Sequence, residues 1–323
     1  MTRFVLRRLL FFAFTLLLTS LLIFGLARVL PGDVARVILG REASAEAVAA
    51  KREELGLNDP IPMQYIRWGG DFLQGNWGES YAFRGQDIQA LVLQRLTNSG
   101  RLALIALLIA VPISITLGVI AGLSEGKLPD QVISILSLSV VSLPEFVTGL
   151  FLINTVALKW QDNPIAKAIG WFPASSSVRA DASFRDALPS LWLPAIAATL
   201  VLLAYLVRLT RAGVIEEAKR DYIRTARLKG LPNRTIIFRH LLRNALLPTI
   251  TVIAISTGWL VSGLVVIEFV FGYPGLGSLL IASIERRDLP LIQAIVMVTV
   301  TVILIANLSA DVLYGVLNPR IEL

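Results

Sequence analysis

A chain of 323 residues could hold two soluble domains, but 55% hydrophobic and only 16% charged residues exclude that reading. The net charge of +7 does not point to nucleic acid, because the basic residues sit in short segments beside long apolar runs, where the positive-inside bias puts them. No cysteine and a single histidine, His240, exclude a disulfide framework or a thiolate metal site and leave little scope for a histidine relay.

Arg3, Arg7 and Arg8 precede an apolar run from Leu9 to Leu30, broken only by Thr15, Thr19, Ser20, Gly25 and Arg28. The run is too long for a secretory signal, and no small-x-small cleavage site follows it. It reads as an uncleaved first span with a cytoplasmic N-terminus, together residues 1–30. Residues 31–98 form an external region, with seven Lys/Arg against nine Asp/Glu and so no cytoplasmic bias. Within it, residues 44–56 read as a short helix with Ser44 as N-cap and Gly56 as its stop. Trp68, Phe72, Trp77, Tyr81 and Phe83 read first as interfacial anchors, with direct ligand contact as the alternative.

The core, 99–323, opens with a second span at 99–123 and a tight cytoplasmic turn at 124–130. A third span, 131–158, contains Pro144-Glu145. An external loop at 159–187 carries Asn163-Pro164, Phe172-Pro173 and the run Ser175-Ser176-Ser177. The fourth span, 188–210, has Pro189 and Pro194 near its outer end and Arg208 at its inner end. A fifth span covers 249–271, an outer segment runs from Gly272 to Asp288, and a sixth span covers 290–316. The expected fold is an all-α polytopic membrane protein with six transmembrane helices and both termini cytoplasmic.

Residues 211–248 are the one long polar stretch of the C-terminal two-thirds. Good helix formers fill 212–229, Gly230 suits a left-handed helix stop, and Pro232 suits the first turn of a second helix. Ile236, Ile237, Leu241, Leu242 and Ala245 then recur at helical spacing. From Arg208 to Arg243 there are ten Lys/Arg against three Asp/Glu, which orients the segment to the cytoplasm. A folded basic hairpin where a bare loop would suffice suggests a docking surface for a soluble partner.

No phosphate-binding loop, nucleophile elbow or zinc-protease pair is present, so no catalytic residue is assigned and no metal site is expected. His240 belongs to the hairpin. Glu145 lies near the middle of the third span. A carboxylate there costs about 2.5–3.5 kcal/mol on insertion scales, so it should face protein or water. It reads either as a translocation-path residue for a cationic group or as a buried acid that satisfies backbone freed by Pro144. Asn154, Ser256, Ser262 and Gln293 are milder polar sites of the candidate path, and most such groups serve interhelical hydrogen bonds. Glu268 and Asp311 lie near span ends, where solvation is cheap, and receive no transport role.

The segment Asp221-Tyr222-Ile223-Arg224-Thr225-Ala226-Arg227-Leu228-Lys229-Gly230-Leu231 resembles the "EAA" loop of bacterial ABC importer permeases. More narrowly it is similar to the dipeptide/oligopeptide/nickel branch and its first, B-type, subunit. Arg239 to Ala245 and Leu247-Pro248 match that branch too, as do Leu30-Pro31-Gly32-Asp33, Gly75 to Ser80, Glu268 to Phe271, Pro274 to Gly277, Arg287 to Pro290 with Gln293, and Asn318-Pro319-Arg320. Arg224-Thr225-Ala226 stand where the general signature has E-A-A, and Asn318 replaces the usual Asp.

The resemblance implies the type I ABC importer permease fold and a subunit of an ATP-driven peptide importer in the bacterial inner membrane. It implies a loop helix that docks on an ATPase subunit, with Asp221, Tyr222, Arg224, Thr225, Ala226, Lys229, Gly230, Leu231 and Arg234 at or near the interface. It also implies a second homologous permease, two ABC ATPase subunits and an extracytoplasmic binding protein as partners. ATP and Mg would bind on the ATPases, and this chain itself would hold no cofactor. Nickel chelates, glutathione or oligosaccharides are the alternative cargoes. An ion-driven secondary transporter and an intramembrane hydrolase are the readings of other classes.

Overall fold

The computed structural model describes residues 2–29, 34–40, 42–83, 85–159, 163, 173–177 and 184–317. The motifs at Leu30 to Asp33 and Asn318 to Arg320 lie outside them. Among the described residues every regular element is helical, and the only β-type pairing is an isolated bridge between Glu79 and Asp87. Among the described residues four helices are long and apolar enough to cross a membrane, or up to six spans if each of two bent helix pairs counts as one.

Helix α1 (Thr2–Val29) is the first candidate span. Three shorter helices follow: α2 (Val34–Leu39), α3 (Ala45–Glu54) and α4 (Ile61–Leu73). The Ser44 hydroxyl accepts from the Ala47 N–H at 3.2 Å, so it caps α3 as expected, and Gly56 takes the left-handed φ of +64° just after it. The aromatic residues of the external region stitch α4 to α1. Phe24 meets Tyr65 and Trp68 at 5.4 and 5.7 Å between centroids, and Phe72 stacks on Trp77 at 4.7 Å. Ser20 and the Tyr65 hydroxyl close the same seam at 2.7 Å.

The central pair is α5 (Ile88–Leu123) and α8 (Phe184–Ala218). The Asp87 carboxylate caps α5 by accepting from Ala90 N at 2.7 Å, so this helix begins well outside the expected span start at 99. Its first turns bury Ile88, Leu91 and Val92 against Leu276, Leu279 and Leu291. Toward its C-terminal end Gly118 and Gly122 let α5 approach α8 so closely that a Cβ at either would meet Thr210 or Val214. Lipid tails are as apolar as leucine, so close van der Waals packing of this kind holds spans together where the hydrophobic effect does not.

The third span is broken. Helix α6 (Leu128–Val141) and α7 (Glu145–Leu158), whose second half is π-helical, meet at 99°. Pro144 lacks an N–H and biases Leu143 away from helix, which ends α6 and restarts the chain at Glu145. Glu145 is therefore the first residue of a half-helix rather than the middle of a straight span.

Helix α8 runs on past the expected inner limit of the fourth span at 210, to Ala218. The expected hairpin helix over 212–229 is divided at Lys219-Arg220, where Arg220 is extended (φ −70°, ψ 147°), and α9 (Asp221–Leu228) starts anew. Helix α10 (Asn233–Ala245) includes a π turn and meets α11 (Leu247–Gly263) at 49°. The fifth span breaks at Leu264 before α12 (Val265–Val270). Helix α13 (Leu276–Glu285) lies in the outer segment, and α14 (Leu289–Leu317) is the last candidate span. Asp311, expected to be merely solvated, pairs with Arg8 at 3.0 Å and ties α14 to α1.

Candidate functional site

The hairpin is built by two local signals. Asp221 in the first turn of α9 favours the positive end of the helix dipole, with Arg227 in the last turn at the opposite end. Gly230 then reverses the chain at φ +73°. Its N–H donates to Arg227 O at 2.9 Å and the Leu231 N–H to Ala226 O at 3.3 Å, which is a Schellman stop with Gly at C′. Ile223 and Ala226, three apart on one face, bury against Val214, Ile236, Leu241 and Ala245.

The other face is open. Asp221, Arg224, Thr225, Lys229, Gly230, Leu231 and Arg234 are all exposed. Ala226 and Tyr222 are placed differently. Ala226 is in the small core under α9, and the half-buried Tyr222 hydroxyl donates to Glu217 Oε2 at 2.6 Å while accepting from Asn244 Nδ2 at 3.1 Å. Burial and the neighbouring Glu217 push the Tyr222 phenol above its usual range, so it stays a donor. These two residues brace α9 from within. Leu228, not singled out from sequence, is 81% exposed at the tip of α9, a large apolar side chain between the exposed Arg227 and Lys229.

The turn at 124–130 holds the hairpin's root. Arg211 grips the Asp130 carboxylate with two N–H groups, Nη2 to Oδ2 at 2.8 Å, and the same oxygen accepts from Gly126 N at 2.9 Å. Asp130 is buried, and beside it Lys219 pairs with Glu125 at 3.0 Å.

The candidate path residues do not form one lining within this chain. Glu145 is half-buried at the start of α7, with no hydrogen-bond or ion-pair partner among the described residues. Asn154 is exposed on the π turn that continues α7. Ser256 is half-buried on α11, while the Ser262 side chain lies outside the described residues. Gln293 is buried in α14 and faces a cavity at the end of the molecule opposite the hairpin.

Comparison with known proteins accounts for this layout. The family described as "Binding-protein-dependent transport system inner membrane component" matches residues 114–323, and its N-terminal companion matches residues 1–85. The chain belongs to this family of importer permeases. It is 36% identical over 336 residues to the di/tripeptide transport system permease protein DppB of Pseudomonas aeruginosa, covering 100% of this chain and 99% of that one. It is 34% identical to the oligopeptide transport system permease protein AppB of Bacillus subtilis, with 100% of each covered, and 35% identical to the glutathione transport system permease protein GsiC of Shigella flexneri, with 100% and 99% covered. The permease is thus a multi-pass transmembrane subunit of a binding-protein-dependent ABC importer, and that membership implies ATPase and binding-protein partners.

At the opposite end the permease carries a polar knot that sequence reading missed. Glu268 was expected to be solvated, yet it is 1% exposed. Its carboxylate accepts from Ser99 Oγ and from the backbone N–H groups of Gly277 at 2.7 Å and Ser278 at 3.1 Å, at the start of α13. A Cβ at Gly275 would collide with that carboxylate, so the glycine is required by the close approach. Asn98 Nδ2 donates to Pro274 O and the Tyr273 hydroxyl donates to Asn98 O across the same seam, each at 2.9 Å. Asp288 caps α14 by accepting from Leu291 N and holds the external loop through Ser80 Oγ at 2.6 Å and Ala82 N at 2.9 Å. The Asp-Leu-Pro run at 288–290 was a legible N-cap signal for this residue.

Proposed function

We propose that the permease forms half of a pathway carrying peptides across the bacterial inner membrane, delivered by the binding protein on the outer side. Six spans result when each bent pair counts as one, with the first span in 1–30, an external region at 31–98 and the permease core at 99–323. Both termini and the 211–248 hairpin then lie in the cytoplasm. The cargo reading rests on the relatives named above, which transport di/tripeptides, oligopeptides and glutathione, itself a small peptide. A second homologous permease completes the pathway. This arrangement suits Glu145 and Asn154, which sit toward the chain's surface rather than within its core. An unpaired carboxylate at a half-helix start suits a peptide ammonium group. ATP and Mg are bound by two ATPase subunits, and this chain holds neither.

The observation that carries the coupling is the exposed tip of α9, Leu228 above a Schellman turn, set on a hairpin whose own core is filled. An exposed apolar side chain flanked by cations is the form of an anchor for a cleft in a soluble partner. Leu228→Cys in the assembled transporter should cross-link to an ATPase subunit carrying cysteines along its cleft. Leu228→Glu should abolish ATP-driven uptake of a tripeptide while the complex still reaches the membrane. Wild-type uptake by Leu228→Glu would remove the anchor role.

A further inference from the structure

A cavity of about 300 Å³ opens at the end of the molecule opposite the hairpin, between the end of α1, helix α4 and the start of α14. Its wall carries Arg28, Arg67 and Asp71, and Arg67 is already paired with Asp59 at 2.8 Å. Arg28 lies over the Phe24 ring at 5.1 Å, and no acid pairs with it among the described residues. Asp71 is exposed, and its carboxylate likewise has no partner among them. Gln64 also lines the cavity. It is 9% exposed, its amide N–H groups are used by Leu57 O and Asp59 O, and its Oε1 has no hydrogen-bond partner. Trp68 and Trp77 supply aromatic walls of the kind found at the membrane interface.

Below the cavity the surface is apolar. Stepping down α1 from Arg28 and Phe24 at helical spacing gives Leu21, Leu17, Phe14 and Leu10, each between 47% and 64% exposed. A bound molecule would thus meet a cation, an anion, an unused buried acceptor and, directly beneath them, an apolar track along a membrane span.

We propose that this cavity is a binding site for the headgroup of a primary-amine zwitterionic phospholipid. The phosphate pairs with Arg28, the ammonium with Asp71 and Gln64 Oε1, and an acyl chain follows the Leu21 to Leu10 track. Three features select this ligand. Asp71 disfavours a purely anionic headgroup. The Gln64 acceptor takes an N–H or O–H donor, and a quaternary choline has neither. The track favours a lipid over a free zwitterion such as the peptide cargo. The site does not depend on which cargo the importer carries.

The test uses the assembled transporter in nanodiscs that mix phosphatidylethanolamine, phosphatidylcholine and phosphatidylglycerol, with native mass spectrometry of the lipid retained. The wild-type complex should retain phosphatidylethanolamine above its bulk share. Arg28→Gln and Asp71→Asn should each lower that retention about tenfold, the loss expected of one charged partner. Gln64→Leu should lower the preference for phosphatidylethanolamine over phosphatidylcholine. Arg28→Lys, which keeps the charge, should restore most retention and so report that the fold is intact. Displacement of the lipid by a free tripeptide would overturn the proposal in favour of a cargo site. Retention equal to the bulk share, or unchanged in Arg28→Gln and Asp71→Asn, would overturn it outright.

Discussion

Replacing Asp130 with Asn keeps the side chain's shape but removes the charge gripped by Arg211. Breaking a buried pair by removing one partner typically costs about 3–5 kcal/mol, because the remaining charge is stranded. Arg211 is partly exposed here, so the lower end applies. The expected outcome is a complex that melts earlier and whose ATP hydrolysis no longer follows substrate delivery, read by thermal unfolding and by binding-protein-stimulated ATPase rate. An unchanged melting curve would show that water substitutes for the pair. Gly275→Ala should be more damaging than its one added methyl suggests. The new Cβ must displace the Glu268 carboxylate from the start of α13, and overpacking of this kind costs about 1–3 kcal/mol. The pairing of Asp130 with Arg211 was invisible in sequence, because the residues are 81 positions apart and nothing local marks them as partners. Glu268 was misread for a related reason. Its place near a span end suggested solvent, but the outer segment folds back as α13 and seals it.

At the level of elements, the α9 turn makes a sharp prediction. Nothing lies within 4 Å of a Cβ placed on Gly230, so Gly230→Val would not clash with a neighbour. Its cost is backbone strain alone, about 1–2 kcal/mol for a left-handed residue with a side chain. Gly230→Val should therefore leave the protein inserted and folded while tilting α9 off its partner, so that ATP hydrolysis continues and peptide uptake falls. Equal loss of both activities would mean that the hairpin had unfolded instead. The position of this turn was readable, since Gly230 and Pro232 are local punctuation. The division at Lys219-Arg220 was not. Every residue there is a fair helix former, and the break exists because Ile223 and Ala226 gain a core by folding back onto Val214 and Leu241. The bend in the third span had its signal in Pro144, but a proline inside an apolar run does not tell a mild kink from 99°.

For the whole molecule, the six-span arrangement predicts sidedness. Lys229→Cys should react with a membrane-impermeant maleimide only from the cytoplasmic side, and Asp59→Cys only from the outer side. Both residues are in exposed or half-exposed positions. Labelling of both from one side would refute the arrangement. Fold class was legible because a bilayer demands long apolar helices, which composition alone reveals. Helix α8 adds something the count of spans does not contain. It is one unbroken rod of 35 residues, about 50 Å long at the usual helical rise. One end lies in the core beside Phe271 and Tyr273, and the other is pinned by Arg211 to the turn beneath the hairpin. Such a rod works as a lever: a tilt of about 10° around its middle carries each end roughly 4 Å in opposite directions. With the hairpin docked on an ATPase as proposed above, a small push there would be delivered, reversed and undiminished, to the seam that Glu268 holds shut.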